Sequence, residues 1–242
     1  MKPMHSCVRL IGVVAIILFL AQVSSSQPIK VEEISDYKIY INITSDSDVE
    51  VKNEITLRNL IDKPLVPGIG EIRLQKSHPM KVGFISVPFT EVKEKVKVKD
   101  VRGYSGKTNI NVRVEDEGDY TSIFYEIWQP IEPKGEYKFI IEYSADLIER
   151  GIFFKTLKMP VGSDVDIRNL EIFVNSDWRL TYSEPEMDNS WHASIPANHI
   201  AFFTAEFSVL PLPELPIRGY MVFWGAVIIA LTVIAVVLWR RR

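Results

Sequence analysis

An uncharged stretch near the C-terminus, residues 220–239, constrains this chain more than any other feature. It is rich in Val, Ile, Ala and Leu, and at 1.5 Å per residue it covers roughly 30 Å, the thickness of a bilayer's hydrocarbon layer. Tyr220 and Trp224 lie at one boundary and Trp239 at the other, where interfacial aromatics belong. Arg240, Arg241 and Arg242 follow, and basic residues beside a span stay on the cytoplasmic side. The expected topology is a single pass through the cell membrane. The transmembrane helix covers 219–239, the N-terminal domain is extracytoplasmic, and a cytoplasmic arginine tail occupies 240–242. Ala226 and Ala230 have the small-xxx-small spacing of helix-pairing faces, with Gly225 adjacent.

The other end is apolar for a different reason. Lys2 and Arg9 precede an apolar run at 10–21, and Ser24, Ser25, Ser26 and Gln27 come after it. A cationic start, a short apolar core and small residues near a cut are the parts of a secretory signal peptide, and the run is too short to span a bilayer. Residues 1–26 are expected to be that peptide, cut near Ser25 or Ser26. The one cysteine, Cys7, falls inside it, so the mature chain would hold neither a disulfide nor a thiol nucleophile.

The ends distort the average charge of −3. Of 28 basic residues two lie before residue 27 and four after residue 217, whereas all 31 acids lie between, so the middle carries a net charge of −9. Such a surface does not release counterions from phosphates, which argues against nucleic-acid binding. Aromatic and β-branched residues recur throughout the middle, which argues against disorder.

The dominant period there is two. Ile39, Ile41 and Ile43 alternate on one segment, and Val49, Val51, Ile55 and Leu57 share a face of the next. The linker 45–48, Ser-Asp-Ser-Asp, is good turn chemistry, so the pair reads as a β-hairpin. Further strands are predicted at 71–76, 82–87, 92–101, 109–115, 121–127, 137–143, 152–157, 167–174, 178–182 and 200–210. Turn residues separate them at 64–70, 103–106, 117–119 and 130–135. The pattern predicts a mainly β fold, an antiparallel β-sandwich domain plus one C-terminal transmembrane α-helix. Because the strands outnumber those of one sandwich, a boundary is expected near 145–150. A β-sandwich domain at 29–145 would then carry a second, smaller β unit at 150–209 packed on it. Residues 131–143, Ile-Glu-Pro-Lys-Gly-Glu-Tyr-Lys-Phe-Ile-Ile-Glu-Tyr, resemble the loop-plus-strand of exported immunoglobulin-like and fibronectin-like sandwiches. The resemblance spans those residues alone and implies that type of sandwich. Pro211, Pro213 and Pro216 then predict a stiff polyproline stalk at 210–217, about 20 Å long, that keeps the domain beside the bilayer.

Several residues are candidates for chemistry. Lys93, Lys95, Lys97 and Lys99 would share one face of a strand, an arrangement that attracts an anionic glycan or lipid and that also guards an edge strand against pairing. Asn42 opens the sequence Asn42-Ile43-Thr44, a glycosylation acceptor expected to face solvent. Acid clusters at Asp46/Asp48, at Glu115/Asp116/Glu117/Asp119 and at Asp164/Asp166 suit calcium or ordinary turns. His78, His192 and His199 lack a zinc-ligand spacing, so no metal site is assigned. Gly68-Ile-Gly70 has no phosphate-binding helix after it, no serine sits in a nucleophile elbow, and no acid pair stands out for glycoside hydrolysis. No catalytic or cofactor-binding residue is therefore named.

The expected function is non-enzymatic: a membrane-anchored β-sandwich that binds other proteins near the bilayer as an accessory subunit, scaffold or adhesion module. A membrane-protein partner is expected, self-association is compatible with the span, and nucleic acid is not a partner. Two alternatives stand beside it, a surface carbohydrate-active or hydrolytic enzyme using acidic residues, and a binder of acidic glycan or lipid through the lysines. Phe202, Phe203 and Phe207 contribute to core or interface, and the adjacent pair must send one ring outward.

Overall fold

The computed structural model describes residues 30–43, 48–78, 81–82, 85–86, 92–151 and 153–240. The expected signal peptide, Asp46 and Thr44 lie outside the described residues, and so does the side chain of His78. The strands and the helix below fall within one unit, Glu32–Arg242.

The predicted hairpin forms from β1 (Glu32–Ile43) and β2 (Asp48–Asn59), which pair antiparallel with Ile43 opposite Val49. Alternation decides which side chains go in: Ile39, Ile41, Ile43, Val49, Val51, Ile55 and Leu57 are all buried. Asn53 interrupts that apolar row, and its Oδ1 accepts a hydrogen bond from the Tyr37 hydroxyl at 3.0 Å.

The chain then runs through β3 (Gly68–His78), β4 (Lys81–Val82), β5 (Ile85–Ser86), β6 (Val92–Lys95), β7 (Val98–Ser105), β8 (Thr108–Glu117), β9 (Tyr120–Ile127) and β10 (Glu136–Asp146). After these come β11 (Ile148–Arg150), β12 (Phe154–Ser163), β13 (Ile167–Ser176), β14 (Arg179–Glu184), β15 (Ser190–Ile195) and β16 (His199–Ser208). The last element is the helix α1 (Gly219–Arg240).

The protein is mainly β with a single C-terminal apolar helix. One sheet has ten strands in the order β15-β13-β1-β2-β10-β7-β8-β9-β3-β6, a second has four in the order β11-β12-β16-β14, and β4 with β5 forms a small ribbon. The large sheet curls into a half-barrel and is not clearly immunoglobulin-like. Long twisted sheets curl in this way, and here β8 pairs with β7 through its first residues and with β9 through the rest.

One pairing has no local signature. Strand β13 lies parallel to β1, with Tyr37 opposite Leu170 and Ile43 opposite Ser176, and β15 joins its far side. Residues on both sides of the boundary expected at 145–150 therefore share one sheet. They also share one apolar core, in which Ile39, Phe139 and Ile172 of the large sheet belong with Leu157, Phe203 and Ala205 of the small one.

Two further expectations are corrected by the backbone. The single strand expected at 92–101 is two. Val96 turns inward, its carbonyl accepts a hydrogen bond from the buried Thr121 hydroxyl at 2.7 Å, and the chain crosses from β6 at the sheet edge to β7 in the interior. The expected stalk at 210–217 does not extend as a spacer. The Leu215 N–H donates to the Thr181 carbonyl at 2.8 Å, which folds the segment back along β14. Proline fixes local φ values but does not choose the direction of the segment, and the unpaired edge of β14 offers it a carbonyl.

Candidate functional site

The helix begins with a physical problem. Its first turn contains no acidic residue, and four N–H groups at a helix start lack intrahelical partners. Arg218 precedes it with a carbonyl that accepts from Met221 N–H at 3.0 Å, but an arginine side chain has no acceptor with which to cap. The missing acceptor comes from the small sheet. Glu206 on β16 is fully buried, and its Oε1 accepts the Gly219 N–H at 2.6 Å. The Tyr220 N–H and the Thr181 hydroxyl also point to this carboxylate. A carboxylate at the positive end of a helix is favoured by the aligned peptide dipoles as well as by the hydrogen bonds.

The surroundings are tight. A Cβ on Gly219 would stand 2.8 Å from a Phe154 ring carbon and 3.0 Å from Glu206 Oε1, so only glycine lets the helix approach this closely. One turn on, Phe223 meets Phe153 edge-on at a 5.0 Å centroid distance and Phe154 at 6.3 Å. Desolvation raises the Glu206 carboxyl above its ordinary value, against the pull of the Gly219 and Tyr220 amides, Thr181 and Arg218. Its Oε2 is buried without a hydrogen-bond partner, which is where that desolvation falls. The junction of sheet and helix is thus a built site, made from one carboxylate, two amides, a hydroxyl and three phenyl rings.

The residues singled out from sequence lie elsewhere and are not brought together. Lys93 and Lys95 sit on the edge strand β6, and Lys99 is on β7 opposite Ser144. Lys95 pairs with Asp116 at 2.7 Å and Lys99 with Asp48 at 3.5 Å, so the four lysines do not form one continuous cationic row. Asn42 is exposed, as alternation predicts. Its amide donates to Glu50 at 3.4 Å, and it receives the Asn175 amide at 3.2 Å. Asp116 also accepts from Thr121, and Asp166 accepts the Ala197 N–H at 2.9 Å, both as turn acceptors do. His192 lies 3.8 Å from Glu171 and hydrogen-bonds Ser190, while His199 meets the Ala197 carbonyl. Among the described residues, no three of His, Cys, Asp and Glu are grouped to hold a metal ion. A shallow cavity of about 290 Å³ between the sheets has charged residues in its lining, where Lys76 pairs with Asp146 at 2.5 Å and Lys158 donates to the Ser77 carbonyl at 3.2 Å.

Ala226 and Ala230 are exposed on α1, and the 22-residue helix is long and apolar enough to cross a membrane. Of the aromatic pair on β16, Phe203 is buried and Phe202 is 71% exposed. Ile200 is also exposed and lies two residues before Phe202, hence on the same face of the strand.

Over 133 residues the chain is 41% identical to the uncharacterized protein MJ1395 of Methanocaldococcus jannaschii, a match that covers 55% of this chain and 98% of that one. The chain belongs to the family of that archaeal protein. No family model matches the sequence. Among solved structures, a Legionella pneumophila protein proposed to bind nutrients overlaps at a TM-score of 0.41 and 10% identity, over 73% of this chain and 67% of that one. Leukotriene A4 hydrolase of Saccharomyces cerevisiae overlaps at 0.40 and 10%, over 78% of this chain and 33% of the enzyme. This chain thus spans about a third of the yeast enzyme. Overlaps of this size carry no conclusion about activity.

Proposed function

We propose that this protein is a non-catalytic, single-pass membrane protein whose extracytoplasmic β domain binds another protein close to the bilayer, as an accessory subunit, scaffold or adhesion module. In this reading residues 1–26 are a cleaved signal peptide, α1 is the span and the terminal arginines are cytoplasmic. The observation that carries it is the buried Glu206 cap, which locks the apolar helix to the small sheet instead of leaving it on a flexible tether. A domain locked to its span presents its surface at one height and angle, which suits a fixed neighbour in the membrane. The exposed Ile200–Phe202 pair supplies a binding surface on that locked sheet, since aromatic side chains anchor interfaces.

Crosslinking in native membranes, gentle extraction and mass spectrometry of the co-purifying chains test this. A stoichiometric partner is expected, and its yield should collapse in Ile200→Ser/Phe202→Ser protein. The same variant should keep its thermal midpoint, because exposed substitutions cost within about 0.5 kcal/mol each. Recovery of the lone chain at every crosslinker length counts against the proposal, and turnover of a glycan or ester panel would favour an enzyme instead.

A further inference from the structure

The helix has no length to spare. Its 22 residues measure about 33 Å, barely more than the roughly 30 Å of hydrocarbon a span must cross. Yet the extracytoplasmic region touches it a full turn beyond its start, where Phe153 packs on Phe223. The segment after β16 is held at the same level, because Gly219 N–H is bonded to Glu206 and Val209 N–H to the Phe153 carbonyl at 3.3 Å. Within that segment Val209 is 59% and Ile217 is 54% exposed, and Trp224 on the helix is 46% exposed. The elements that meet here carry four charges of each sign, Arg150, Lys155, Arg179 and Arg218 with Glu149, Asp177, Glu206 and Glu214.

We infer that Phe153 and the 209–217 segment form an apolar foot, through which the β domain rests in the headgroup and upper acyl layer around α1. The occupant of this surface is lipid. Continuity with the helix puts Val209 and Ile217 at the depth where amphipathic and apolar side chains partition, and balanced charge makes the contact apolar rather than selective for anionic headgroups. The foot, the Glu206 cap and the helix together fix the tilt of the sheets over the membrane. The inference rests on α1 being a span.

Single cysteines at Val209→Cys, Ile217→Cys, Val233→Cys and Lys107→Cys, each in full-length Cys7→Ser protein, would carry a nitroxide label in phosphatidylcholine nanodiscs. Collision with oxygen, which concentrates in lipid, is compared with collision with a water-soluble nickel chelate. Val233, exposed in mid-helix, should favour oxygen, and Lys107, in the β7–β8 turn, should favour nickel. Val209 and Ile217 are expected to fall on the oxygen side of equality, with the ratio reversed from that of Lys107 and unchanged when anionic lipid is added. If they match Lys107 while Val233 reads as lipid, the foot is overturned and the span stands. If Val233 itself favours nickel, the span fails and the foot with it.

Discussion

Glu206→Ala is expected to loosen the joint between β16 and α1 by about 2–3 kcal/mol, while Glu206→Gln keeps it closed and removes its dependence on pH. Alanine leaves the Gly219 and Tyr220 N–H groups without their acceptor, at a helix start where Gly219 is buried. Glutamine retains an oxygen for those amides and resembles the protonated acid. The direction of the pH effect follows from the raised carboxyl. In the docked state Glu206 holds its proton to a higher pH than it does once exposed, where it titrates near its ordinary value of 4.5. Between those two values the docked form binds more protons, so the stability contributed by this group is fully present below the exposed value and declines as pH rises through the docked one. Hydrogen exchange at Gly219 and Tyr220, corrected for the intrinsic pH dependence of exchange, reads this directly. Protection should weaken across that window in the natural protein and stay level in Glu206→Gln. Unchanged protection in Glu206→Ala would mean that the phenyl contacts alone hold the helix.

Much of the architecture follows from local patterning, and its limits follow from the same physics. Ile39, Ile41 and Ile43 face the core because a strand with one wet face must alternate, and the β1–β2 hairpin needs only a turn between two such rows. The neighbour on the other side of β1 is more than a hundred residues away, and nothing in the sequence of β13 announces a parallel partner. Short β15, with Trp191, Ala193 and Ile195 between polar residues, has a row too brief to stand out. The lysine row is broken for a related reason, since alternation in the sequence continues through Val96 although the strand does not. Glu206 carries the weakest local signal. The run Thr204-Ala205-Glu206-Phe207-Ser208 alternates as though its polar side were wet, yet all five residues are buried: Ala205 and Phe207 face the shared core, and Glu206 lies under the start of α1. In the sequence its role shows only as a charged residue shortly before a proline-rich stretch and an apolar run. The tertiary contact that gives it a role is non-local.

Trp191→Ala is expected to cost about 3–5 kcal/mol, a large share of the stability of an ordinary domain. The indole is 2% exposed, its ring lies 5.4 Å from Phe203, and its Nε1–H donates to the Pro185 carbonyl at 2.6 Å. It projects from β15, an edge strand of the ten-stranded sheet, onto Phe203 of β16, an interior strand of the four-stranded one, so truncation opens a cavity between the sheets and leaves a carbonyl unpaired. Trp128→Ala is the control: that side chain is 62% exposed, and its loss should move the midpoint little. Thermal unfolding of the full chain in micelles, followed by circular dichroism of the strands, separates two ways of losing Trp191. With one shared core the whole β signal should shift to lower temperature as a single transition. If Trp191→Ala instead split the signal in two, with residues 29–145 surviving the collapse of 150–209, the halves would be separate folding units that merely share a sheet edge. The parallel β1–β13 ladder, which ties Ile34 through Ile43 to Ile167 through Ser176, favours the single transition, because neither half can open without breaking it.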